Sequence, residues 1–87
     1  KNLTLKTYYE QGQTESIFLM VDTYKHMLKR EKLVPESIKN LLNNFVNFVR
    51  ELTDIKDGKG DREEILLRVQ KAPVAEKLWL LEKLGNV

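Results

Sequence analysis

One stretch constrains the fold more than any other: residues 35–56, PESIKNLLNNFVNFVRELTDIK. Ile38, Leu41, Phe45, Phe48, Leu52 and Ile55 recur at spacings of 3, 4, 3, 4 and 3, and Leu42, Val46 and Val49 form a second stripe beside them. Pro35 stands at the first-turn position where a missing N–H costs a helix nothing. A surface helix needs a single apolar stripe. Two stripes ask for neighbours on two sides, so this helix belongs in the middle of the fold.

The neighbours are helical as well. No run alternates with a period of two, and no Asn-Gly or Asp-Gly turn joins β-rich segments. A first helix spans Asn2 to Gln11, with Leu5, Tyr8 and Tyr9 on one side and Gly12 as its C-terminal cap. A second runs from an N-cap at Thr14 to Lys32, with Ile17, Val21, Tyr24 and Leu28 on one face. Phe18, Met20 and Met27 widen that stripe, and Lys25, Lys29, Arg30 and Lys32 gather at its C-terminal end, where cations complement the helix dipole. A fourth covers Asp61 to Lys71 with Ile65, Leu66 and Val69. A proline-opened fifth follows in APVAEKLWLLEKLGN, with Val74, Leu78, Leu81 and Leu84 facing in and Gly85 as its cap. The expected fold is all-α, a single domain of about five helices, orthogonal and antiparallel. Helices two and three form its central pair.

At 87 residues the chain can build one modest core, and its 41% hydrophobic and 32% charged content is that of a globular protein. It holds no cysteine, which removes disulfides and thiolate zinc sites and suits a reducing, cytoplasmic setting. No apolar run reaches bilayer length. The net charge is +2, with six basic against four acidic residues up to Pro35 and a balance beyond it. That distribution gives no basic tail or stripe of the kind built for nucleic acid. The chain starts at KNLTLKTYYE, without an initiator Met and already in helical register, and reads as a piece of a longer protein.

The segment most suggestive of chemistry is DIKDGKGDREE, residues 54–64. Set as a calcium loop with Gly58 at its sixth position, it offers Asp57 at the fifth and Glu64 at the twelfth. Its third position is then Ile55, which has no oxygen to give a cation that wants six or more. As a phosphate loop it lacks the glycine spacing, the hydroxyl and the preceding strand. The hinge reading explains more of its letters, and the charges between are solvated. Gly58 and Gly60 leave helix three through positive φ, and Asp61 caps helix four with Glu64 completing a capping box.

Other candidates read as ordinary surface. His26, the sole histidine, shares a face with Asp22, Lys29 and Arg30 and has no cysteine or organised acid beside it. Glu63 with Glu64, and Glu76 with Glu82, have nothing in the sequence to bury them for acid–base work. No serine or threonine lies in a nucleophile motif. The expectation is no enzyme, no cofactor and no metal. Trp79 falls about 100° from Leu78, at the edge of the expected inward face of helix five. With Leu3 and Tyr9 of helix one it forms the expected partner surface, a patch suited to self-association or to docking a protein segment.

YYEQGQTESIFLMVDTYKHML resembles a degenerate tetratricopeptide-type helical hairpin, over about residues 3–28. Tyr8 occupies the tyrosine slot and Gly12 the glycine four residues on. Ile17 and Tyr24 fill slots where the pattern has small residues, Val21 replaces the aromatic between them, and Lys29 stands where a proline is usual. The resemblance implies an α-hairpin scaffold for peptides or partner domains, at the end of a helical array such as bacterial proteins carry. It transfers no binding residues. The functional expectation is a non-catalytic protein–protein interaction module of a larger protein. The alternatives are a nucleic-acid accessory domain using the basic end of helix two, and a regulatory appendage of an enzyme.

Overall fold

A computed structural model describes the backbone of residues 2–86 and the side chains of residues 4–86. Five helices follow one another: α1 Asn2–Glu10, α2 Thr14–Arg30, α3 Glu36–Lys56, α4 Arg62–Lys71 and α5 Lys77–Gly85. No strand occurs among the described residues. The all-α expectation holds, and α3 packs against each of the other four helices.

The double stripe explains that position. Phe45, Val46, Val49 and Leu52 are fully buried, and Phe48 nearly so. Phe45, Phe48 and Leu52 come from the first stripe, Val46 and Val49 from the second, and together they fill the space between α2 on one side and α4 and α5 on the other. The stripe does not hold along the whole helix: Ile38, in its first turn, is exposed. Opposite α3, α2 contributes Ile17, Val21, Tyr24 and Leu28, all buried as their spacing predicted. Burial raises the Tyr24 phenol above its ordinary value.

Two helix ends depend on glycine. At Gly12 the φ is 70°, the Gln13 amide donates to the Tyr8 carbonyl, and the Gly12 amide donates to Tyr9. At Gly58 the φ is 84°, the Lys59 amide donates to Asp54 at 2.8 Å, and the Gly58 amide donates to Ile55 at 2.9 Å. Both are Schellman closures, which satisfy the last carbonyls of a helix through a left-handed residue. A Cβ at Gly58 would meet nothing within 4 Å, so Gly58→Ala carries only the backbone penalty. The expected loss is about 1–2 kcal/mol in a urea melt; an unchanged midpoint would show that this closure is dispensable.

Several boundaries differ from the sequence reading. Thr14 is the first residue of α2, Gln13 precedes it without a side-chain cap, and the helix stops at Arg30. Pro35 lies one residue before α3, its carbonyl receiving the Ile38 and Lys39 amides. Asp61 caps α4 as expected, taking the Glu63 and Glu64 amides at 3.0 and 3.4 Å. Glu64 does not close the box, because its carboxylate is directed to Arg68 Nε, 3.8 Å away.

The largest correction concerns α5. It begins at Lys77, not at Pro73, because Glu76 takes a left-handed conformation (φ 58°, ψ 36°) and breaks any helix running through it. Residues 73–75 are tied to α3 instead: Asn44 Nδ2 donates to the Pro73 carbonyl at 2.8 Å, and the Ala75 amide donates to the Leu41 carbonyl at 3.1 Å. Val74 is therefore buried as a loop anchor and does not set the helix register. The inward residues of α5 are Leu80 and Leu84, both fully buried, whereas Leu78 is 84% exposed. Gly85 is helical and not a left-handed cap. The far end of α5 is held by Arg62, whose Nε donates to the Leu84 carbonyl at 2.6 Å.

Candidate functional site

The expected partner surface is mostly used by the fold itself. Tyr9 is 4% exposed. Its ring meets Trp79 edge to face at 5.5 Å between centroids, and Trp79 in turn meets Phe45 at 6.1 Å. Trp79 is half-buried, and Leu3 has its side chain outside the described residues. The reason is α5, whose long side chains close over the open face of α1. Lys6 pairs with Glu76 at 2.6 Å, and Lys83 pairs with Glu10. The same two lysines lie over the Trp79 ring, at 5.7 and 5.8 Å from its centroid, and Lys56 lies over Tyr9 at 4.7 Å. Cations over aromatic faces in this geometry stabilise the closed arrangement. Tyr9 and Trp79 are packed within their own chain and do not form an open docking patch. Burial first, then the Glu10 charge, raises the Tyr9 phenol above its ordinary value.

The charged 54–64 segment is spent on structure. Its carbonyls close α3, and Asp61 caps α4. Among the described residues no three of His, Cys, Asp and Glu converge on a point that a metal could occupy. Hydrogen bonding to Glu51 raises Arg68, and hydrogen bonding to Glu10 raises Lys83.

Two open grooves stand out by size among the described residues. The first lies between α3 and α4, about 470 Å³, lined by Phe48, Leu67 and Ala72 with Glu64, Arg68 and Lys71 at its edge. Leu67 is 55% exposed, on a helix that buries Ile65 and Val69. The Arg68 guanidinium sits 5.7 Å from the Phe48 ring centroid and pairs with Glu51, which fixes one wall. An apolar floor inside a charged rim is the layout of a small protein-binding site. Leu67 is not among the apolar residues expected to matter in helix four; packing leaves it outside and its neighbour Leu66 partly buried against the core.

The second groove runs between α2 and α3, about 560 Å³, and is polar. From α2 it receives Asp22, Lys25, His26 and Lys29; from α3 it receives Asn40, Asn43, Asn44 and Asn47. At one end Arg50 lies over the Phe18 ring at 5.4 Å. Asn44 is committed to Pro73. The side chains of Asn40, Asn43 and Asn47 make no hydrogen bond to any described residue, and Asp22, Lys25, Lys29 and Arg50 make no ion pair there. Asparagine is a weak helix former, about 0.5–0.7 kcal/mol behind alanine at each position. Four stand in α3, and for Asn40, Asn43 and Asn47 no hydrogen bond within the described fold offsets that cost. The signal was present in the sequence as KNLLNNFVN, hidden by the attention its apolar letters draw.

The fold defines a small all-α helical domain. Comparison with protein-family models, with curated proteins and with solved structures found no match to this chain.

Proposed function

We propose that this domain is a non-catalytic protein–protein interaction module of a larger, cytoplasmic protein. The α3–α4 groove carries the reading, because its apolar floor and exposed Leu67 offer a seat for an apolar side chain of another protein segment, and its charged rim can fix orientation. The hairpin formed by α1 and α2, with its resemblance to tetratricopeptide-type units, favours a scaffolding role in the same sense. The absence of cysteine agrees with a reducing compartment.

The test is site-specific photocrosslinking in the parent protein, in its own cells. A benzophenone amino acid replaces Leu67 in one variant and Leu19, exposed on α2, in another. One discrete adduct from position 67 and none from position 19, abolished when Arg68→Glu is added, is the expected result. No adduct at position 67, or equal adducts at both positions, would remove the reading.

A further inference from the structure

We infer that the polar groove between α2 and α3 is a binding site for single-stranded nucleic acid. The inference starts from how its side chains are arranged. On α2, Phe18, Asp22, Lys25 and Lys29 follow spacings of 4, 3 and 4; on α3, Asn40, Asn43, Asn47 and Arg50 follow 3, 4 and 3. Each set therefore forms one continuous stripe along its helix. Because the helices run antiparallel, the Phe18–Arg50 pair closes one end and Lys29 with Asn40 stands toward the other. From Phe18 to Lys29 the groove extends about 16 Å at 1.5 Å per residue, room for about four or five stacked nucleotides.

Chemistry selects the ligand. Lys25 and Lys29 in the groove and Arg50 beside Phe18, set against Asp22, leave two positive charges, as many as the whole chain carries at +2. Like other surface cations such as Arg30, Lys56 and Lys71, these three make no ion pair among the described residues. They suit a phosphodiester backbone. The free amides of Asn43 and Asn47, with the Asp22 carboxylate, add both donors and acceptors, which a simple polyanion cannot use and the edges of unpaired bases can. Phe18, partly exposed and backed by Arg50, provides a face on which a base can stack. A duplex fits poorly, because the groove is recessed between two helices and offers no projecting element to enter it.

The asparagines make the inference separable from fold stability. Replacing Asn43 and Asn47 by alanine removes base-edge groups and improves helix propensity, so a variant that binds less should melt at the same temperature or higher. The experiment measures fluorescence anisotropy of a fluorescein-labelled, mixed-sequence ten-nucleotide RNA and its DNA equivalent, titrated with the full 87-residue chain. Micromolar binding is expected, weakening about 20-fold between 50 and 200 mM salt if three phosphates are neutralised. N43A/N47A and F18A should each weaken it at least fivefold, and K25E/K29E should abolish it. Duplex of the same sequence should bind more weakly. No binding at 100 µM protein and 50 mM salt overturns the inference, and so does wild-type affinity in N43A/N47A. Competition by poly-glutamate as effective as unlabelled RNA would also overturn it, showing a generic acidic-protein surface instead.

Discussion

Phe45→Ala is expected to cost about 3–5 kcal/mol, which leaves the domain close to unfolding at physiological temperature. The magnitude follows from the site. Phe45 is fully buried near the middle of α3, the helix that touches all others, and its ring stacks edge to face on Trp79. Truncation removes the transfer free energy of the ring and leaves a void that α3 cannot collapse to fill, since Val46 and Val49 pin it on the other side. A domain of this size holds only about 4–13 kcal/mol in all. The melting temperature should fall by at least about 12 °C. Phe45→Leu, which keeps most of the volume, should cost under about half as much. A Phe45→Ala variant melting within about 1 kcal/mol of the wild type would show that α3 is not the centre of the core.

How much of this was legible in the sequence depended on the range of the forces involved. Helix number, the central place of α3 and the closures at Gly12 and Gly58 were legible, because periodicity and left-handed φ are local properties. The Asp61 cap was legible for the same reason, since its acceptor and both amides lie within three residues of one another. The surfaces were not. Tyr9 and Trp79 looked like an open edge because nothing in their own helices covers them. Cover comes from pairing across the chain, Lys6 to Glu76 and Lys83 to Glu10, and from the two rings themselves. Leu66 and Leu67 are adjacent letters with opposite fates, decided by which side of α4 meets α3. The polar groove was half legible: its lysines were noted as helix-end cations, but the asparagines facing them lie on another helix.

The register of α5 shows the same limit, and it yields the second large effect. Leu80→Ala should cost about 2–5 kcal/mol, whereas Leu78→Ala should stay within about 0.5 kcal/mol of the wild type. Sequence spacing argues the reverse, since Val74, Leu78, Leu81 and Leu84 fall in phase if one helix begins at Pro73. That helix cannot exist with Glu76 left-handed at φ 58°. A non-glycine residue in that region is costly and persists only where its surroundings hold it. Here they do: Ala75 is bonded to the Leu41 carbonyl, Pro73 to Asn44, and the Glu76 carboxylate to Lys6 at 2.6 Å. Once the helix restarts at Lys77, Leu80 and Leu84 stand one turn apart on the face toward the core, and Leu78 is turned about 200° from Leu80, into solvent. Urea melts of the two alanine variants discriminate cleanly, because the substitution is chemically identical and the positions are two residues apart. Equal losses at both positions, or the larger loss at Leu78, would return α5 to the register its sequence suggests and would unmake the closure of α5 over α1.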